Sequence, residues 1–204
     1  MKTNLHSIST KLIVGGVMAV LIPLIVAGWI SYGKSHTALT DMAMNQAKGI
    51  ALDLARTTRY VLESEILKAQ AMSSQKRIVE LGEAVDNFGI EANELMIGDM
   101  FADLTRQFRG MGKHYQGIFL ADAKGKLYTG VLESGKEYKG SDISGRDYFK
   151  KAKQESKTVL SDMVISKSTG NPISVVCAPI QSSGGKFIGA FGLVIKAAYF
   201  TDVI

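Results

Sequence analysis

The chain has 204 residues, 46% of them hydrophobic and 21% charged, with 3 prolines, 1 cysteine and a net charge of +5. That length suits one ordinary domain with an accessory segment, and the apolar content excludes a disordered chain. The lone Cys177 excludes an intramolecular disulfide framework and a cysteine-rich zinc module, and the scattered His6, His36 and His114 form no metal-ligand motif.

Leu12 to Ile30 read LIVGGVMAVLIPLIVAGWI, without a charge. At 1.5 Å per residue, about nineteen residues make roughly 28 Å of helix, close to the hydrocarbon thickness of a bilayer. Lys2 and Lys11 precede the run, and no acid occurs before Asp41. This predicts a cytoplasmic N-terminus over residues 1–11, a single transmembrane anchor over 12–32 in the inner (cell) membrane, and export of the rest to the periplasm or exterior. Trp29 and Tyr32 fall where an outer aromatic belt lies, and Pro23 introduces a mild kink of the kind membrane helices tolerate. A cleavable signal peptide is the competing reading. Its apolar region is normally about 7–15 residues, shorter than this one, and Val26-Ala27-Gly28 is a poor cleavage site. A buried helix of a soluble domain is disfavoured, because such a helix is rarely apolar on all faces. Taking Lys2 and Lys11 from the net +5 leaves +3 for the exported part. That is too weak for nucleic-acid binding.

Residues 33–112 read as a long helix plus a second helix. From Ser35 to Ala84 there is no proline, and strong helix formers dominate. Ala47, Ile50, Leu54, Thr57 and Val61 alternate at three and four spacing, a weak seam of coiled-coil type that predicts a homodimer through the long helix. Asp86-Asn87-Phe88-Gly89 reads as a turn. A second helix is expected over about Glu91 to Arg109, with Ile97, Phe101, Leu104, Phe108 and Met111 on one apolar face and Gly110 and Gly112 ending it.

After Lys113 the texture becomes strand-like. Tyr115–Ala121 and Lys126–Gly130 form a hairpin about Asp122-Ala123-Lys124-Gly125. A polar crossing from Glu133 to Ser144 leads to a short helix of about Arg146 to Glu155. Three more strands follow, Thr158–Ile165, Ile173–Pro179 and Lys186–Ile195, separated by Ser168-Thr169-Gly170-Asn171-Pro172 and by Ser182-Ser183-Gly184-Gly185. The class is α+β: over 113–204, an antiparallel five-stranded sheet with one inserted short helix, one face available to the preceding helices. Lys196–Ile204 looks like the start of a connecting helix.

Catalytic signatures are lacking. There is no Ser/His/Asp set near a G-x-S-x-G elbow, and Gly184-Gly185-Lys186 lacks the context of a phosphate loop. Asp142, Asp147 and Asp162 are scattered acids. No enzyme, cofactor or metal is expected. Cys177, in the run VVCAPI, reads as a small core residue. His114 reads as a solvated or edge histidine. Lys150, Lys151, Lys153 and Lys157 read as the wet face of the short helix.

One ordered series remains. Asp142-Ile143-Ser144-Gly145-Arg146-Asp147-Tyr148-Phe149 leads to Ser161-Asp162, to Ser168-Thr169-Gly170-Asn171-Pro172, to Ala178-Pro179-Ile180 and to Gly185-Lys186-Phe187-Ile188-Gly189. Behind a single anchor and two helices, this resembles the Cache family of extracytoplasmic sensors, which are PAS-like. In particular it resembles the membrane-distal half of a double-Cache sensor of a bacterial methyl-accepting chemotaxis protein. The resemblance implies a ligand pocket between the sheet and the loop-helix at Arg146. Amino-acid-binding members read R-x-W-Y there, their Arg gripping the ligand carboxylate. Here Arg146 is kept, and Tyr148 and Phe149 keep both aromatic positions. Independently of the family, a guanidinium offers a planar fork of donors suited to an oxyanion. The alternative is that Arg146 binds locally and Phe149 is core.

The departures shape the expected ligand. Where amino-acid-binding members carry T-D-P-Y-x-D, this chain has Ser161-Asp162-Met163-Val164-Ile165-Ser166. Their late Asp is matched by Val194. Those acids hold an ammonium group, and burying an ammonium without a countercharge is expensive. The resemblance therefore implies a small anionic ligand, a carboxylate first, touched by Arg146, Tyr148, Phe149, Ser161, Asp162, Val164, Ser166 and Val194. The second transmembrane helix, HAMP linker and cytoplasmic coiled coil of a chemoreceptor are not among the 204 residues, so a fragment or a lone anchored sensor module is expected. The sensor half of a histidine kinase or cyclic-dinucleotide enzyme, and a ligand-free structural adaptor, remain alternatives.

Overall fold

The computed structural model describes residues 8–202. The expected cytoplasmic segment lies outside the described residues up to residue 7, as do residues 203 and 204. The chain divides into two compact units that meet between Ala55 and Arg56. The first is described from residue 8 and consists of helix α1 (Ile8–Ser73) as far as Ala55. Its apolar side chains are uncovered: Leu12 is 72% exposed and Trp29 81%. Among the described residues this is the one helix long and apolar enough to cross a membrane, and none of its apolar window is buried.

The second unit is the α+β body. The helix expected to run unbroken to Ala84 breaks at Ser74 and Gln75, where α2 (Lys76–Phe88) begins. The break turns a new apolar face, Ile78, Leu81, Gly82 and Val85, onto the sheet at helical spacing. Gly82 matters for closeness: a Cβ there would stand 3.1 Å from Ile188 Cδ1. The expected turn at Asp86–Gly89 starts three residues late. Asp86, Asn87 and Phe88 stay helical, and Gly89 reverses the chain at φ 82°. One short 3-10 turn (Glu91–Asn93) precedes α3 (Glu94–Arg109), which buries Ile97, Met100 and Leu104. Asn93 stitches this corner, its amide donating to the Gly89 and Ala84 carbonyls at 2.7 and 3.0 Å.

Six strands form the sheet: β1 (Tyr115–Asp122), β2 (Leu127–Leu132), β3 (Val159–Leu160), β4 (Val164–Ile165), β5 (Pro172–Gln181) and β6 (Phe187–Lys196). Helix α4 (Asp147–Glu155) sits between β2 and β3, and α5 (Ala197–Asp202) follows β6. The order is β2-β1-β6-β5-β3, with β4 also on β5, and every pairing is antiparallel. The count exceeds the expected five because Thr158–Ile165 is two short strands. Ser161 interrupts the run: its backbone N–H donates to the Val175 carbonyl, while its Oγ accepts the Val175 N–H, both at 2.8 Å.

Side chains alternate across the sheet. On one face Ile118, Leu120, Tyr128, Val176, Ile180, Phe191 and Leu193 meet α2 and α3 in a single core. On the other, Phe119, Leu127, Val175, Cys177 and Val194 meet Tyr148, Phe149 and Ala152 of α4. Gly192 is required here: a Cβ would overlap the Phe119 ring that lies across it. Cys177 is core as expected, and burial pushes its thiol up to about 12. Lys150, Lys151, Lys153 and Lys157 are all exposed.

Candidate functional site

The site is built by the loop that enters α4. Gly125, at φ 90°, brings the β1–β2 turn against this loop, where its carbonyl accepts the Ile143 N–H at 2.8 Å. Asp142 Oδ1 accepts the Ser144 N–H at 2.8 Å, and that bond holds its carboxyl below the usual carboxylate range. The Arg146 N–H then donates to the Ile143 carbonyl, and α4 starts at the next residue.

Arg146 is the N-cap residue, in extended conformation, and its side chain does not cap the helix. Its carbonyl accepts the Phe149 and Lys150 N–H groups, both at 3.1 Å. Among the described residues, the N–H groups of Asp147 and Tyr148 have no acceptor. The guanidinium reaches across to β4, where Nη2 donates to the Ile165 carbonyl at 2.9 Å. One end of the fork is thus tethered, which fixes its direction.

A cavity of about 260 Å³ opens between this helix start and the β3–β4 segment. Five of the eight expected ligand residues line it: Arg146, Tyr148, Ser161, Asp162 and Val164. Tyr148 is 6% exposed, and burial pushes its phenol up. Its hydroxyl has no hydrogen-bond partner among the described residues. Ser161 contributes little polarity, because its hydroxyl already accepts from Val175 N–H and donates to the Asp162 carbonyl at 2.7 Å.

Three expected residues stand elsewhere. Phe149 is 3% exposed and packs edge-on against Phe187, with centroids 5.9 Å apart. One step along a helix rotates a side chain by about 100°, so Tyr148 and Phe149 leave α4 in different directions. Val194 is buried in the same core, away from the cavity lining. Ser166 lines a void of only about 10 Å³ beside Arg146 and Tyr148, and its hydroxyl is taken by Ser168 at 3.1 Å. The sequence reading missed Asp147, Lys151, Val159 and Leu160 as lining residues. Helical spacing held the signal for Lys151, which stands one turn beyond Tyr148 and Asp147.

A second cleft, of about 730 Å³, is lined by Asp86, Glu91, Asp122 and Asp142 with Lys124 and Lys126. Most of its acids are spent on structure. Asp86 pairs with Lys186 at 2.6 Å, and Asp122 Oδ1 accepts the Lys124 and Lys126 N–H groups at 2.9 Å. The smaller cavity differs in gathering a guanidinium and a helix start.

His114 stands just before β1 with its side chain 25% exposed. Its Nε2 is buried without a partner, 3.9 Å from Glu65 Oε1.

No protein-family profile matches the chain. Its structure is similar to the sensor domain of the Vibrio cholerae histidine kinase DctB, with a TM-score of 0.62 and 12% identity over 78% of this chain and 58% of that one. It is also similar to the sensory domain of the Campylobacter jejuni chemoreceptor Tlp3 with isoleucine bound, with a TM-score of 0.52 and 16% identity over 74% and 60%. The fold is the one those two sensory domains share. In sequence, the chain is 26% identical over 188 residues to sporulation kinase D of Bacillus subtilis. That match spans 92% of this chain and 33% of the kinase, so the chain corresponds to about a third of that relative's length. The Cache-like neighbours are sensory domains of receptors and kinases, not catalytic domains.

Proposed function

We propose that this chain is the extracytoplasmic ligand-sensing module of a chemoreceptor-like signal transduction protein, and that its ligand is a small anion, a carboxylate first. Residues 12–32 anchor it in the membrane with residues 1–11 in the cytoplasm, residues 33–112 form the helical part, and residues 113–204 form the sensing domain. The observation that carries the reading is that Arg146, Tyr148 and the start of α4, with the free N–H groups of Asp147 and Tyr148, line one cavity. Guanidinium, phenol and helix N-terminus all favour an oxyanion. Lys151 adds positive charge at the rim. The acids of the lining are Asp147 at the helix start and Asp162 on the β3–β4 side, beside the cations Arg146 and Lys151. The choice of a small acid over the amino acid held by Tlp3 rests on the Arg146 fork and on Ser166 and Val194 standing where amino-acid-binding members carry acids. The module catalyses nothing and works as a homodimer through α1, where Ala47, Ile50 and Thr57 are exposed along the seam.

A second reading of the output rests on one observation: the relative matched along 92% of the chain is a kinase. On that reading the same cavity feeds a histidine kinase.

The test is a thermal-shift screen of the full chain in detergent against acetate, pyruvate, succinate, isoleucine and a simple amine. A ligand that binds only the folded state raises its melting temperature with concentration. Shifts with acids alone support the reading. A shift with isoleucine alone overturns the choice of ligand class, and no shift from a folded sample overturns the sensing role of the cavity.

A further inference from the structure

We propose that the module has a second input, the proton concentration, read by His114 against the buried Glu65 carboxylate where α1 meets the sheet. This holds whether or not the cavity at Arg146 takes an anion.

Glu65 is only 4% exposed. Its carboxylate accepts the Tyr115 hydroxyl at 2.5 Å and Lys68 Nζ at 3.1 and 3.2 Å. Lys68 also touches the Tyr115 hydroxyl and lies 4.9 Å over its ring. The His114 imidazole is held between two rings, stacked on Tyr199 at 4.1 Å and tilted on Tyr115 at 4.0 Å. Its Nε2 faces Glu65 yet makes no hydrogen bond, although buried polar atoms are nearly always satisfied. The groups that face this imidazole are Glu65 and Lys68 on α1, Tyr115 on β1, Lys196 on β6 and Tyr199 on α5. Glu133 acts on it through Lys196, to which it is paired at 2.6 Å.

The charges set the resting state. Burial, Lys68 and Lys196 disfavour the imidazolium, Glu65 favours it, and the pKa of His114 falls below the ordinary value. The ring is therefore neutral near neutral pH, and the orphaned nitrogen is tolerated. Acid adds a proton and makes the same nitrogen a charged donor. Its nearest anion stands 3.9 Å away and is already engaged. An arrangement in which Nε2–H closes onto Glu65, drawing it from Tyr115 or Lys68, binds the proton more tightly than the resting one. A ligand shifts a population by its differential affinity, and a proton is no exception. The groups that must move join α1, the helix carrying the apolar segment, to the start of β1 and the end of β6.

The test uses the full chain in detergent micelles with 15N-labelled histidine. His114 is assigned by its loss in His114→Gln. A nitroxide pair at Arg59→Cys and Ser134→Cys, in a Cys177→Ala background, reads the distance from α1 to the sheet, since both positions are exposed. The expected result is a distance change as the pH falls below about 6.5, with a midpoint that matches the titration of His114. The change disappears in His114→Gln. In Glu65→Gln the midpoint moves to lower pH, because a carboxylate that favours the charged ring is gone. Should His114→Gln not fold, Glu65→Gln decides: a lowered midpoint supports the proposal and an unchanged one overturns it. A distance that ignores pH, or that moves equally in His114→Gln, also overturns it.

Discussion

The two faces of the sheet are filled differently. Toward α2 and α3, Ile118, Leu120, Val176, Ile180 and Leu193 meet Ile78, Leu81, Ile97 and Leu104, aliphatic against aliphatic. Toward α4, aromatic rings, a thiol and small residues leave a cavity of about 260 Å³ beyond the core, edged by a guanidinium and a phenol. Interiors are close-packed, so unfilled space beside polar donors is where the proposed ligand would sit. The comparison separates stability from recognition by layer. The helix-facing side holds the body together, and the α4-facing side holds the groups proposed to select a ligand.

The largest expected effect breaks the helix-facing layer. Leu104 is fully buried against the sheet. Leu104→Ala is expected to cost about 2–5 kcal/mol in chemical denaturation of the full chain, with acid binding per folded molecule unchanged. A loss of binding at constant fold would show that the two layers are not separable in this way.

Next comes the charge on the other layer. Arg146→Glu replaces a charge-assisted contact worth about 1.5–3 kcal/mol by repulsion, so acids are expected to bind at least about 10-fold more weakly. The melting temperature should barely move, because Arg146 makes one tether, to the Ile165 carbonyl. Tyr148→Phe removes one neutral hydrogen bond to the ligand, about 0.5–1.5 kcal/mol, or roughly 3- to 10-fold in the dissociation constant. Titration calorimetry reads both.

The smallest effect concerns Cys177. Its thiol pKa is raised, so the folded state favours the protonated form. As pH rises above the ordinary thiol value toward about 12, the unfolded chain releases this proton first, and that contribution to stability is lost. At about pH 8 a thiol-reactive dye should label Cys177 only on unfolding. Rapid labelling of the folded chain would place it outside the α4-facing core.

The short apolar runs Tyr115–Ala121 and Ile173–Pro179, bounded by turn residues, and the stripe Ile97–Leu104 made sheet and helices legible, because strands buried on both faces read as apolar runs between turns. The break at Ser74 was not legible. No proline or glycine marks it, and tertiary packing of Ile78 and Leu81 decides it. Arg146 and Tyr148, read from their series, line the cavity, whereas Phe149 packs in the core, because adjacency in sequence is divergence on a helix. His114 was missed for a different reason. Glu65 lies 49 positions earlier, and only the folded body brings the two together.

Arg146 and Tyr148 are proposed to grip an oxyanion in the α4-facing cavity. The most direct measurement is calorimetric titration of wild-type full chain and Arg146→Glu, in detergent, with the acid that gives the largest thermal shift. Saturable binding in the wild type, weakened at least about 10-fold in Arg146→Glu at unchanged melting temperature, is the predicted result. Equal affinity in the two proteins would contradict it.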